Sequence, residues 1–234
     1  MFLPPILIGH KPDGTPVTCD LPRLPHLLIG GVAGSGKTML LHALLTGVLQ
    51  HTAPDDVQLL LIDCGAQDLC IYNGAPQLLT PVITSPKEGL DALHALAEEL
   101  QRRLSSPQRD FPLLIVVIDE FAPLLQLHGD DFLDILRKLS MQGRQAGIHL
   151  LLSTLHTGSN VLSGLLRAYI PSRAALCVPT AEASRLLLDM TGAQRLKEPG
   201  DMLYYPAYAE QPIPLKVICT KEENIRALID RSHS

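Results

Sequence analysis

The sequence predicts an α/β protein whose central sheet is mostly parallel and is flanked by helices. Apolar runs of strand length alternate with stretches of helical periodicity along the chain. Hydrophobic residues make up 46% of the 234 positions, which suits strands covered on both faces. A glycine-rich loop also joins a short apolar strand to an apolar helix. That strand–loop–helix order is typical of parallel sheets that bind ligands at their carboxyl edge.

The elements are predicted in chain order from apolar runs and turn residues. Runs at 6–9 and 15–19 flank the turn Pro12-Asp13-Gly14 and predict a hairpin within a lead-in of residues 1–22. The other predicted strands are 27–29, 57–63, 113–118, 148–153, 174–178 and the late, antiparallel pair 202–205 and 215–219. The predicted helices are 39–49, 87–104, 131–145 ending at Gly147, 161–169, 181–190 and one that opens at Thr220.

Composition limits the organisation and the location of the chain. We find no internal repeat or low-complexity linker and expect residues 1–234 to form a single domain. No apolar stretch is long enough to span a bilayer, so no membrane segment is expected. The five cysteines lack metal-ligand spacing, which predicts reduced thiols in a cytoplasmic protein. A net charge of −5 disfavours a broadly basic surface but allows a few basic contacts repeated by symmetry.

The glycine-rich loop predicts a nucleotide site. Residues 31–38 fit the phosphate-binding pattern G-x-x-x-x-G-K-[ST]. Backbone N–H groups at a helix N-terminus attract anions, Lys37 can reach the β/γ-phosphates, and the Thr38 hydroxyl can bind Mg²⁺. The cofactors predicted are therefore ATP and Mg²⁺. The residues predicted to contact nucleotide here are Gly31, Val32, Ala33, Gly34, Ser35, Gly36, Lys37, Thr38 and Met39. The alternative is a Gly/Ser turn with a chance Lys-Thr, which the strand–loop–helix context disfavours.

Two adjacent carboxylates, Asp119 and Glu120, follow the buried strand 113–118. This arrangement predicts Asp119 as a Mg²⁺ ligand and Glu120 as the general base that polarises the attacking water. Neighbouring strand residues point to opposite sides, so both can face the nucleotide only if the chain is kinked there. The alternative is an ordinary strand end with solvated carboxylates. Asp63 ends another strand and is a further candidate, and Thr154 is expected to face the same crevice.

At this level of detail the chain resembles the RecA-like motor domain of the FtsK/SpoIIIE DNA translocases over nearly its whole length. The matching stretches are 24–28, 31–38, 72–76, 79–82, 119–122, 145–150, 170–173 and 200–204. The resemblance implies a RecA-like P-loop NTPase that assembles as a hexameric ring. It also implies ATP at the subunit interfaces and double-stranded DNA threaded through the pore.

The chain departs from the family pattern at three places. Leu155-His156 stands where the family usually has Gln-Arg, Asp63-Cys64-Gly65 replaces Asp-Pro-Lys, and Gly129-Asp130-Asp131 is acidic where relatives tend to be basic. Two other functions therefore stay open. One is an ATPase of the same family in a protein secretion system, and the other is a nucleotide-binding interaction module that hydrolyses poorly.

Several basic side chains compete for further roles. Arg144, Arg173 and Arg185 could reach a neighbouring subunit's γ-phosphate, and Arg173 is preferred because it lies in the matched stretch 170–173. The alternative for each is an ordinary salt bridge. His156 and Arg167 are candidates for phosphate contacts, whereas His149 lies in an apolar strand and is expected to be a core histidine.

Overall fold

A computed structural model of the protein describes residues 5–20, 23–108, 110–158, 161–162, 168–207 and 209–231. Within these residues the strands are β1 (Ile6–His10), β2 (Pro16–Cys19), β3 (Leu27–Gly30), β4 (Val57–Asp63), β5 (Leu113–Asp119), β6 (Ile148–Thr154), β7 (Ser172–Ala175), β8 (Asp201–Tyr205) and β9 (Ile213–Lys216). The α-helices are α1 (Lys37–His51), α2 (Pro86–Ser105), α3 (Ala122–Gln142), α4 (Ala181–Leu188) and α5 (Glu222–Arg231). Short 3₁₀ turns cover Asp68–Tyr72, Gly143–Ala146 and Ala193–Arg195.

The described strands form one sheet in the order β2-β1-β9-β8-β7-β3-β6-β5-β4. The last five strands of this order, from β7 to β4, run parallel. The remaining strands extend the sheet in antiparallel fashion, and β1 joins it through β9. The predicted α/β class, the N-terminal hairpin and the antiparallel late pair are therefore confirmed. The carboxyl ends of β3, β4, β5 and β6 lie together at one edge.

The two faces of the sheet are covered by different helices. The sequence of β5 shows how one strand packs against both groups of helices. Its alternate residues Ile115 and Val117 pack in the same cluster as the apolar residues of α1 and α5. The intervening residues Val116 and Ile118 pack in the cluster that contains the apolar residues of α2, α3 and α4. Because side chains alternate along a strand, a strand buried on both faces is apolar throughout.

Several boundaries differ from the sequence-based prediction for physical reasons. Helix α3 begins at Ala122 rather than at 131 and is interrupted at Gly129, where φ is +51°. Strand β7 ends at Ala175, and the chain after it continues beside the glycine-rich loop, where the Leu176 N–H donates to the Gly30 carbonyl at 2.9 Å and the Val32 N–H donates to the Cys177 carbonyl at 2.9 Å. Strand β9 lies at 213–216 rather than 215–219. Most of the predicted helix 161–169 lies outside the described residues.

No helix in the described part of the chain is both long enough and apolar enough to cross a bilayer.

Candidate nucleotide-binding site

The glycine-rich loop leaves β3 and enters α1 in a conformation that requires glycine. Gly34 and Gly36 have φ of +72° and +104°, in the left-handed region that other residues seldom adopt. A Cβ atom on Gly36 would lie 2.7 Å from the backbone nitrogen of Gly200. Gly200 in turn donates its N–H to the Ser35 carbonyl at 2.8 Å and accepts from the Val217 N–H at 2.8 Å. The segment between α4 and β9 thus supports the loop from behind.

Lys37 is buried and folds back over this loop. Its Nζ donates to the carbonyl oxygens of Gly31 at 2.9 Å and Val32 at 3.2 Å. Burial lowers the pKa of Lys37, while the negative charges of Asp119 and Glu120 act in the opposite direction. The ammonium group is therefore held inside the loop with two carboxylates close enough to influence it.

Asp119 is the last residue of β5 and its side chain is buried. The Ser153 hydroxyl, on the neighbouring strand β6, donates to Asp119 Oδ1. The pKa of Asp119 is raised to about 6, mainly by burial and in smaller part by the nearby charges of Asp63 and Glu120, while the hydrogen bond from Ser153 and the charge of Lys37 act in the opposite direction. A carboxylate in this setting gains from a cation that compensates for its lost hydration.

Glu120 occupies the kink that the paired carboxylates require. Its φ is +53°, so the chain turns sharply after Asp119 and both carboxylates line one cavity. The two oxygens of Glu120 are engaged at the end of β6. Oε1 accepts from the Thr154 hydroxyl at 3.0 Å, and Oε2 accepts from the Leu155 N–H at 2.6 Å. Thr154 is itself fully buried, so it reaches the site through Glu120, and Leu155 lines the cavity in its place.

Asp63 has a structural role at the end of β4. Its side chain is 0% exposed, and its oxygens accept from the N–H groups of Gly65 at 3.0 Å and Leu69 at 3.1 Å. These bonds fix the turn that follows β4. The turn carries Asp68, whose Oδ2 accepts a hydrogen bond from the Thr38 hydroxyl at 3.3 Å. Asp68 was not among the residues predicted from sequence, since the stretch after β4 has no periodic pattern that would place it.

These side chains surround a cavity of about 360 Å³ at the carboxyl edge of the sheet. It is lined by Ala33, Gly34, Gly36, Lys37, Thr38, Met39, Gly65, Ala66, Asp68, Asp119, Glu120 and Leu155. Of the predicted loop residues, Gly31, Val32 and Ser35 lie behind this lining and support it. The residues fit Mg²⁺ and a polyphosphate. For a polyphosphate, Ser35 Oγ is buried and makes no hydrogen bond within the described residues, and a Cβ on Gly34 would meet open space. For Mg²⁺, the carboxylate and hydroxyl oxygens of the cavity are suitable ligands.

The three candidate arginines lie elsewhere. Arg173 is in β7, where its side chain is only 10% exposed and its guanidinium donates to the Leu187 carbonyl at 3.3 Å and to the Asp189 carboxylate. A contact with a neighbouring subunit would require this ion pair to open, so that role stays a prediction. Arg185 is exposed on α4, and Arg144 is exposed near Pro25 and His26, which precede β3 at the opposite edge of the sheet.

The remaining sequence candidates are resolved only in part. His149 is a buried core histidine, as expected, and its Nδ1 lies 2.9 Å from the Leu24 carbonyl. His156 follows the Glu120-binding residues Thr154 and Leu155, and its contact with a ligand stays a prediction. Arg167 lies outside the described residues.

A parallel sheet with a phosphate-binding loop after β3 and paired carboxylates after β5 defines the RecA-like P-loop ATPases. Within this class the chain belongs to the FtsK/SpoIIIE family, whose model matches residues 3–109 and 105–160. It is 34% identical to the DNA translocase FtsK of Lactiplantibacillus plantarum over 248 aligned positions, which cover 95% of this chain and 31% of that protein. The chain thus spans about a third of the length of this curated relative.

Two solved structures share the fold. The cytoplasmic domain of the Type VII secretion ATPase EccC from Thermomonospora curvata superposes with a TM-score of 0.82 at 24% identity, covering 97% of this chain and 30% of that chain. The pCW3 conjugation coupling protein TcpA, solved with ATPγS, superposes with a TM-score of 0.83 at 20% identity and covers 98% of this chain and 70% of that chain.

Proposed function

We propose that this chain is an ATP-hydrolysing motor that binds ATP with Mg²⁺ and moves double-stranded DNA as a hexameric ring. One observation carries the proposal. Lys37, Thr38, Asp119 and Glu120, which are separated by up to a third of the chain, line a single cavity at the carboxyl edge of the sheet. An anion-binding loop, oxygen ligands for a cation and a carboxylate base are the parts that phosphoryl transfer to water requires.

Each of these residues has a defined task in the proposed reaction. Lys37 and the N–H groups of the loop bind and orient the phosphates. Thr38 and Asp119 would hold Mg²⁺, which when bound supplies the positive charge that neutralises the β- and γ-phosphate oxygens. Glu120 accepts a proton from the attacking water at a carboxylate oxygen. Because Thr154 and Leu155 donate to the two oxygens of Glu120, they fix the orientation of its carboxylate.

DNA as the moved polymer is supported by the family and by the relative that carries the name DNA translocase. The test is the rate of phosphate release with and without duplex DNA, measured over a range of protein concentrations. We expect duplex DNA to accelerate turnover, and turnover per chain to rise with protein concentration where the ring assembles. Unchanged turnover with duplex DNA at all concentrations would contradict the DNA-moving role.

Protein translocation is the second candidate, and charge is the observation that favours it. The net charge is −5, and the interruption of α3 at Gly129 is followed by Asp130 and Asp131. These carboxylates repel nucleic-acid phosphates. The same assay distinguishes the candidates, because a protein-moving ATPase should respond to a basic polypeptide and not to duplex DNA. Binding of ATP without turnover under either condition would instead identify a nucleotide-binding interaction module.

A cytoplasmic location is part of the proposal. All five cysteines lie among the described residues and none forms a disulfide. Unpaired thiols are usual in a reducing compartment, where ATP is also available.

A further inference from the structure

The turn after β4 brings a third carboxylate to the phosphate-binding loop. Asp68 lines the same cavity as Lys37, Asp119 and Glu120, and its Oδ2 accepts from the Thr38 hydroxyl at 3.3 Å. The buried Asp63 carboxylate fixes the turn that carries Asp68, because it accepts hydrogen bonds from the N–H groups of Gly65, which precedes Asp68, and Leu69, which follows it. The contact between Asp68 and Thr38 is therefore held by the end of the strand.

The charges of this cavity do not balance. Three carboxylates, Asp68, Asp119 and Glu120, face one ammonium group, that of Lys37. No cationic side chain among the described residues forms an ion pair with Asp68. Its close neighbour His42 is a poor source of charge, since burial lowers the pKa of this imidazole below its ordinary value. A polyphosphate that enters this cavity without a divalent cation meets net negative charge.

The hydrogen bond itself shows what Asp68 can do for a cation. A hydroxyl group has one proton and two acceptor lone pairs. With the Thr38 proton directed to Asp68, the lone pairs of Oγ1 are left for a metal ion. The Thr38 hydroxyl donates to Asp68, whereas the hydroxyl that donates to Asp119 is that of Ser153. Asp68 thus provides the acceptor that orients Thr38, while Ser153 provides the donor that orients Asp119.

We propose that Asp68 is a positioning residue of the Mg²⁺ site, which acts by accepting the Thr38 hydroxyl proton and by adding negative charge that favours the metal-loaded nucleotide. The inference rests on the proposed function of this cavity. Groups that orient metal ligands in this way typically change metal affinity by about 10- to 100-fold when removed.

The test is the Mg²⁺ dependence of nucleotide binding, measured without hydrolysis. Anisotropy of a fluorescent, slowly hydrolysed ATP analogue is titrated with Mg²⁺ for wild type and for Asp68→Asn. We expect the Mg²⁺ concentration at half-saturation to rise about 10-fold in the variant. Binding in EDTA should be unchanged or tighter, because one repelling charge is gone. Asp91→Asn, at an exposed carboxylate on α2 outside the cavity, should behave as wild type.

A double-mutant cycle then tests the route through Thr38. Because the Asn oxygen can still accept from Thr38, this cycle uses Asp68→Ala, and in Thr38→Val, which lacks the hydroxyl, adding Asp68→Ala should produce a smaller shift than in wild type. Asp68→Glu, which keeps the charge, serves as a second variant if Asp68→Asn melts at a lower temperature. A wild-type Mg²⁺ midpoint in folded Asp68→Asn would overturn the inference alone. Wild-type protein that binds the analogue equally with and without Mg²⁺ would instead refute the proposed function.

Discussion

Replacement of Glu120 by Gln should separate ATP binding from ATP turnover. The structure allows the effect of this substitution to be divided into a structural part, the change in the hydrogen bonds of Glu120, and a chemical part, the loss of the proton acceptor. Glu120 accepts two hydrogen bonds, from the Thr154 hydroxyl and from the Leu155 N–H. A Gln side chain can still accept from Leu155 through its carbonyl oxygen and can donate its NH₂ to the Thr154 oxygen. The structural cost is therefore about 1 kcal/mol, the value of one altered hydrogen bond.

The chemical part of the effect is larger. An amide cannot accept a proton from water, and loss of a general base typically lowers turnover by about 10²- to 10⁴-fold, or roughly 3–5 kcal/mol of transition-state stabilisation. Single-turnover hydrolysis and equilibrium binding of ATP measure the two parts separately. We expect binding within about 10-fold of wild type and turnover lowered at least 100-fold. Glu120→Gln with wild-type turnover, or with no ATP binding in a folded protein, would refute the assignment of Glu120 as base and Asp119 as metal ligand.

The remaining predictions concern the loop and the core. Lys37→Ala should abolish hydrolysis and weaken ATP binding, because the phosphates lose their cation; unaltered turnover in this variant would count against the site. Gly36→Ala should cost about 1–3 kcal/mol of stability, since φ is +104° and the new Cβ would press on Gly200, and thermal melting measures this. His26 is buried and neutral, with its pKa lowered to about 4 by burial, so the unfolded chain binds its proton first as the pH falls below 6.5. Urea unfolding should show that the free energy of unfolding falls by roughly 3 kcal/mol between pH 7 and pH 4 because of His26. If a His26→Asn variant lost as much free energy of unfolding over the same pH range, His26 would not be the group responsible.

The parts of the fold and site that are contiguous in sequence could be predicted from sequence. Residues 31–38 contain both the glycines of the turn and the charged group of the loop, Lys37, and β5 is apolar from Leu113 up to its last residue, Asp119. The kink at Glu120 followed from the alternation of side chains along a strand, and φ of +53° is observed there.

Contacts between distant segments could not be predicted in this way. Asp68 lies 30 residues from Thr38 in sequence, and the turn that carries it is held by the Asp63 carboxylate, so no local pattern of residues encodes the contact between Asp68 and Thr38. The burial of Arg173 depends on Asp189, which terminates α4 in a left-handed conformation with φ of +61°. The sequence around Arg173 resembles that of the family, but this resemblance does not reveal that the guanidinium forms an ion pair with Asp189 of the same chain.

The bond between the Gly200 N–H and the Ser35 carbonyl links the antiparallel half of the sheet to the glycine-rich loop. The next bond in the series, from the Val217 N–H to the Gly200 carbonyl, continues into the segment just beyond β9, and β9 pairs with the N-terminal hairpin. Main-chain hydrogen bonds therefore connect this hairpin to the phosphate-binding loop, so a force on the hairpin from a neighbouring subunit or a bound polymer has a route to the loop. Mechanical strain at this edge of the sheet should therefore change the residence time of a nucleotide bound at the loop.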